Sequence, residues 1–348
     1  DDPTVIRMLQ DITGIDPTKI PLDDKKTMSI FSSTDALGVT PEQIHSDVGS
    51  YGVPEFGTKF VRGMLIDTKP TTFDELIRIS GLSHGTDVWL NNAQSLIQEG
   101  TVTLNEAICC RDDIMIYLIK KGLEPNPAFK IMELVRKGKA LKDPVKWAEY
   151  VSMMKEHDVP DWYIKSCEKI KYMFPKAHAA AYVTNAFRIA WFKVHKPLAY
   201  YAAYFSIRAK AFDSDVMCHG KEKVKNKMKE IELMANSATQ KDKDMYDDLE
   251  IVWEMYERGF SFLPIDLYNS HSKNFLIEDE KIRPPLNSIP GLGNVAADSI
   301  IEARKDGKFM SIDDLQIRSK AGKAVVEMLA NAGCLEGMSR SNQMSLFG

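Results

Sequence analysis

No apolar run in this sequence is long enough to cross a bilayer, and no secretory leader opens it, so a membrane-spanning or exported protein is not expected. Cysteine is scarce. There are five in 348 residues, two of them adjacent (Cys109 and Cys110) and none in a Cys-x-x-Cys pair. That argues against a zinc site or a disulfide framework and for a reducing compartment, with the cytoplasm as the default. Also missing is an Asp-x-Asp on a plausible strand. The acidic pairs are adjacent ones, such as Asp23-Asp24, Asp112-Asp113, Asp247-Asp248 and Asp313-Asp314, and neighbouring side chains point to opposite sides of a strand or around a helix. Cap and surface roles suffice for them, so no catalytic or metal-holding residue is assigned. The opening Asp1-Asp2-Pro3, without a Met, reads as a processed product or a piece of something longer.

What is present is length for two or three compact units and charge that is unevenly placed. The net charge is −4, yet residues 1–60 carry ten Asp/Glu against five Lys/Arg, and residues 165–229 carry fourteen Lys/Arg against four Asp/Glu. The basic stretch runs from Lys165 and Lys169 through Lys193 and Arg208 to the cluster Lys221 to Lys229, and it suits a polyanion. The competing reading is a solvated helix face.

Most of the chain reads as helix, which makes the fold class mainly α. Thr4 to Asp11, Phe73 to Ser80, Ala177 to His195 (broken at Lys196-Pro197), Leu198 to about Ala211, Lys221 to Ala235 and Asp244 to Arg258 are expected helices. Thr103-Leu-Asn-Glu106 is a capping-box pattern predicting a helix to Lys121. Gly49 to Gly57 is too rich in Gly and Pro to be an element interior and reads as an ordered loop. Residues 260–285 read as a small β element, 286–337 as glycine-punctuated helices, and 338–348 as a flexible tail.

Three patterns carry chemistry. Ile289-Pro-Gly-Leu-Gly-Asn-Val-Ala-Ala-Asp-Ser-Ile-Ile301 resembles a helix-hairpin-helix. Gly291 and Gly293 permit the tight turn and the close approach of a phosphate. The amide N–H groups around Leu292, Gly293 and Asn294 open a helix that binds phosphate without reading sequence. A degenerate copy follows 29 residues on, with Gly322 aligned to Gly293, Leu329 to Ile300 and Lys320 in place of the first glycine, so Lys320 and Lys323 are phosphate contacts or structural only. At the C-terminus, Gln343-Met344-Ser345-Leu346-Phe347 resembles the peptide by which bacterial proteins dock on the replicative sliding clamp, with Gln343 at the pocket mouth and Leu346 and Phe347 as apolar anchors. A tail folded back on the protein is the alternative. In the centre, His178, Tyr182, Asn185 and Arg188 share one face of a helix, which suits either a triphosphate and a flat base or a buried polar seam. Arg111 is placed on an apolar stripe with Leu104, Ala107, Met115 and Leu118, so it needs a partner. That partner is a structural one or the phosphate of a nucleotide.

The central passage, Phe174-Pro-Lys-Ala-His178 with Tyr182, is similar to the fingers domain of bacterial replicative polymerases of the C family, whose signature is Phe-x-Lys-x-His-x-x-x-Tyr. Ser83-His-Gly-Thr-Asp-Val-Trp-Leu90, Cys110-Arg-Asp-Asp-Ile114 and Gly52-Val-Pro-Glu-Phe-Gly57 resemble the PolC branch, and the resemblance covers essentially the whole chain. It implies a fingers domain over residues 1–259, a β connector over 260–285, a duplex-binding hairpin pair over 286–337 and a clamp-binding tail over 338–348. It implies dNTP binding through Ser83, His84, Arg111, Lys176, His178, Tyr182 and Arg188. The expected partners are primer-template DNA, dNTP, the sliding clamp and the remainder of the polymerase, with no membrane. The resemblance also implies that magnesium is held by palm carboxylates outside this chain and by the dNTP, and that this chain alone does not polymerise DNA. A non-enzymatic DNA- and clamp-binding adaptor is the alternative.

Overall fold

The computed structural model describes residues 1–341. It is mainly α, with one two-stranded antiparallel sheet among the described residues. The chain forms two compact units. One is built from Lys19–Leu37 and Ser46–Trp191, the other from Asp1–Thr18, Gly38–His45 and Phe192–Gly348.

In the unit made of Lys19–Leu37 and Ser46–Trp191, two threonines start helices by accepting backbone N–H groups. Thr58 opens Lys59–Thr68 and Thr72 opens Phe73–His84. Phe31 lies edge-on to Phe56 at 5.1 Å and stacks on Phe187 at 6.3 Å, and Phe73 meets Phe187 edge-on at 5.8 Å. These rings bring the helix Lys176–His195 onto the core. The Gly49–Gly57 segment is an ordered loop, as expected. Ser50 Oγ donates to the Phe56 carbonyl at 2.6 Å, and a Cβ on Gly57 would stand 2.9 Å from the Gly52 nitrogen. Helices Pro125–Arg136, Pro144–Glu156 and Asp161–Lys169 were not foreseen, although proline in the first turn of the first two is a start signal.

One expectation in this unit is overturned. Only half of the Thr103–Glu106 box forms, the Thr103 N–H and Oγ1 both donating to Glu106 Oε1 at 3.3 and 2.8 Å, and it closes a turn. The helix begins only at Arg111 and runs to Lys120. Asp113 decides this, because its Oδ2 accepts the N–H groups of both Cys109 and Cys110, at 3.0 and 3.1 Å, and fixes the start there. Arg111 is therefore the first residue of the helix and shares no helical stripe with Leu104 and Ala107.

In the other unit, the helix Asp2–Thr13 ends on left-handed Gly14 and packs its Val5 and Leu9 side against Pro197–Ala203. Lys221–Met234 pairs with Gln240–Glu257, which starts four residues earlier than expected because Thr239 and Asp242 form a capping box. Strands Leu276–Glu278 and Lys281–Arg283 make the small hairpin, with Ile277 opposite Ile282. Phe262 adds only an isolated bridge to Ile282.

Lys193 corrects the basic stretch. It is not on a polyanion-facing surface but fully buried, with Nζ 2.8 Å from Glu254 Oε1, and Tyr201 donates to the same carboxylate at 2.6 Å. A buried ammonium survives only when paired and hydrogen-bonded, and Glu254 supplies that from the facing helix. Arg208 likewise pairs with Asp2 at 3.3 Å. Residues 338–341, expected to belong to the flexible tail, are held. Ile312 and Asp313 donate their N–H groups to the carbonyls of Ser339 and Arg340 at 2.9 and 3.0 Å, so residues 338–341 are tied to the last helices.

Candidate nucleotide and nucleic-acid sites

Helix Phe73–His84 presents His84 in its last turn, and Lys176–His195 presents His178 and Tyr182 in its first two. Phe174, just before the second helix, joins them. Its ring stacks on His84 at 4.6 Å and on Tyr182 at 6.1 Å, and lies 5.9 Å from His178. His84 and Tyr182 stack at 5.9 Å. His84 also bonds to the carboxylate of Glu55, which chiefly raises its pKa above the usual imidazole value against the opposing effect of burial. The face with His178 and Tyr182 is exposed at this end, so here it is no buried seam. The result is an open shelf of four rings, one of which, His84, is backed by a carboxylate.

Beside the shelf is a charged corner. Asp112 Oδ2 accepts the Lys176 N–H at 2.9 Å, which sets the start of the Arg111 helix next to the start of the Lys176 helix. Lys176 Nζ reaches Asp74 at 3.8 Å. Arg78 bonds Asp74 at 3.3 Å, with Asp113 at 3.7 Å and the Cys109 sulfur at 3.8 Å. Burial, with Asp113 adding to it, pushes the Cys109 thiol far up, so it is no nucleophile. Arg111 has no hydrogen-bond or ion-pair partner among the described residues. Arg188 lies roughly 15 Å along the helix axis from His178. Its Nε is buried and, among the described residues, has no partner.

Of the residues read from sequence, the structure gathers His84, His178 and Tyr182 on the shelf and Arg111 and Lys176 at the corner. Arg188 stands apart. Ser83 is turned to its own helix, Oγ donating to the Ser80 carbonyl at 2.9 Å. Phe174 and Glu55 were missed as site residues. Phe174 was legible as the first member of the Phe-x-Lys-x-His pattern. Glu55 carried one signal, a charged side chain inside a Gly-Pro loop, where it takes the left-handed conformation at φ 72°. No group of three or more His, Cys, Asp or Glu among the described residues stands close enough to hold a metal ion.

The hairpins form a second candidate site. Gly291 is left-handed at φ 84°, and a Cβ on it would meet Met328 at 2.9 Å. Gly293 begins helix Asn294–Arg304 at φ −78°, ψ 167°, and Gly322 begins helix Lys323–Asn331 at φ −76°, ψ 171°. The 29-residue copy is thus the same backbone turn twice. Lys320, in the place of Gly291, holds the same left-handed region at φ 59°. Ile300 and Leu329 are both fully buried in the shared core, with Leu315 of the Ile312–Ser319 helix between them in sequence. Leu292 is buried there too, so only its backbone can face a ligand. Asn294, Lys320 and Lys323 are exposed. Arg304 and Arg318 spend their guanidinium groups on backbone carbonyls, Arg318 on those of Ala303 and Gly307 at 2.7 and 2.9 Å. Residues 343–347, the expected clamp peptide, lie outside the described residues.

The family described as the bacterial DNA polymerase III alpha subunit finger domain matches residues 2–158, and the helix-hairpin-helix motif matches residues 259–344. The DNA polymerase III PolC-type of Clostridium perfringens is 58% identical over 348 residues, which is all of this chain and 24% of that protein. The PolC-type enzymes of Bacillus subtilis and Listeria monocytogenes are 57% and 55% identical over 347 residues, with the same coverage. The chain therefore spans about a quarter of the length of the curated relatives it matches. The resemblance to the PolC-type polymerase read from sequence holds over its whole length.

Proposed function

We propose that this chain, similar from end to end to PolC-type DNA polymerase III, is the nucleotide- and duplex-handling part of a replicative DNA-directed DNA polymerase of the cytoplasm. Its end-to-end identity to PolC-type enzymes carries the reading.

The ring shelf would take the flat, apolar face of an incoming base, since stacking on aromatic side chains tolerates any base. Arg111, Lys176 and, further along the helix, Arg188 would take the triphosphate. A guanidinium N–H that is buried and unpaired is what a phosphate oxygen would satisfy. His84, held cationic over a wider pH range by Glu55, adds charge at the shelf edge. The hairpins would grip primer-template DNA by amide N–H groups at two helix starts. Gly293 and Gly322 support this, because neither a positive φ nor a neighbour within 4 Å requires glycine there. Residues 343–347 would dock on the sliding clamp and so raise the local concentration of the primer end. Magnesium and the palm carboxylates that join nucleotides would lie with the remainder of the polymerase.

Titrating the chain with a fluorescent dNTP in magnesium tests this. Arg111→Ala and Arg188→Ala are expected to weaken binding at least tenfold. If the parent chain binds no triphosphate, the nucleotide-handling reading falls and an adaptor that binds DNA and clamp remains.

A further inference from the structure

We infer that the lysine row Lys221, Lys225 and Lys229 on the helix Lys221–Met234 is a second nucleic-acid contact, following the sugar-phosphate backbone of duplex DNA outside the hairpins. It rests on the duplex-binding reading above and names a surface which that reading does not use.

The helix turns Val224 and Ile231 inward against Gln240–Glu257. The row stands beside that buried seam at i, i+4 and i+8 and is exposed throughout. Its members are roughly 6 Å apart along the axis, so the row spans roughly 12 Å. That is the length of three to four phosphates on one strand at about 3.4 Å each. Lys225 and Lys229 have no ion-pair partner among the described residues, and Lys221 holds only a 3.4 Å contact to Glu257. Two of the three acids of the helix are engaged, while Glu222 stands exposed among five lysines. Glu230 pairs with Lys227 at 3.1 Å, and Glu232 accepts from Tyr246 at 2.6 Å. The free charge presented to solvent is therefore positive.

The order of charge along this helix also opposes its own dipole. Lys221 and Lys223 flank Glu222 in a first turn whose Gly220 cap offers no side-chain acceptor, and no basic residue lies in the last turn, where Glu232 stands. Cations belong at the other end, so stability alone does not account for this pattern. Departures from a local rule without a packing gain mark functional surface. A polyanion laid along the row offsets the cost. Nothing in the row selects a base, so it would hold the duplex at any sequence.

The test is duplex affinity of the full 348-residue chain, read as anisotropy of a labelled mixed-sequence duplex over about 50–200 mM salt. Lys225→Gln/Lys229→Gln keeps the helix, since Gln matches Lys in helix propensity. A thermal melt confirms folding. The expected result is a plot of log K against log salt that is shallower by roughly 2, one condensed counterion for each lost phosphate contact. An unchanged slope in a folded double variant overturns the row, even where the row proves to bind an acidic protein instead. If the parent itself fails to bind duplex, the duplex reading fails first and takes the row with it.

Discussion

Gly291 and Gly293 are two residues apart and are glycine for different reasons. Gly291 needs its left-handed φ and the space beside Met328, so Gly291→Ala is expected to lower stability by about 1 kcal/mol or more. Gly293 has an ordinary φ and open space around it. Gly293→Ala should therefore leave the melting temperature little changed, because the gain of about 0.4–1 kcal/mol from a stiffer unfolded chain is offset by the poor standing of Ala at a helix N-cap. The methyl group would nonetheless hold a phosphate off the helix start and weaken duplex binding. Melting curves and duplex titrations on the two variants separate the roles. Full duplex affinity in Gly293→Ala would remove the hairpin turn from the DNA interface. At His84, the Glu55 partner raises the imidazole pKa, so its bonus to the fold is complete below the ordinary imidazole pKa and fades as pH rises through the raised one. Glu55→Gln should move the His84 titration, followed by NMR, to lower pH. No shift would mean that the carboxylate does not govern that ring.

Between elements, two buried acids make the predictions. Asp248, on the Gln240–Glu257 helix, accepts the Ala211 N–H at 2.8 Å. Burial, with Asp247 and Asp244 adding, pushes its carboxyl up to about 7. The folded-state pKa lies above the unfolded value near 4, so the folded protein holds this proton more tightly, and stability is lost as pH rises from about 4 to 7. Asp248→Asn keeps an acceptor for Ala211 and removes the charge. In urea unfolding it should match the parent near pH 4 and exceed it at pH 8, and equal stabilities at pH 8 would contradict the burial argument. The Lys193–Glu254 pair pins the end of the long central helix to the same partner. Lys193→Met strands a buried carboxylate and should cost about 3–5 kcal/mol, whereas Lys193→Met/Glu254→Leu should recover most of it. At this scale the sequence was legible wherever local signals were strong. Lys196-Pro197 and the glycine hairpins end or begin elements as read. It misled where a local signal met a competing one, as at Thr103, whose box forms only by half and loses the helix to Asp113. The candidate site was half legible. Periodicity put His178 and Tyr182 on one face, but nothing local told that Phe174 would stack between them and His84, or that Lys193, in a lysine-rich stretch, would turn inward to an acid 61 residues away.

For the whole molecule, the proposal predicts division of labour. Primer extension by this chain alone, with magnesium and all four dNTPs, should give no product, while duplex and triphosphate binding persist. Extension above background would place the joining chemistry within these residues. Surface plasmon resonance on a bacterial sliding clamp should lose its signal when residues 343–348 are removed, and binding that survives truncation would strike the tail from the reading. The way the chain is shared between units has a consequence for how it is made. The first eighteen residues belong with Phe192 and beyond, and the polypeptide passes between units after residues 18, 37, 45 and 191. Val5 and Leu9 of the opening helix bury their side chains in a unit that lacks the Pro197–Ala203 helix until well over half of the chain has been synthesised. During translation the Asp2–Thr13 helix therefore has its apolar side uncovered until the Pro197–Ala203 helix has followed it. Removing residues 1–13 should strip the Pro197–Ala203 helix of that cover and lower the melting temperature of its unit.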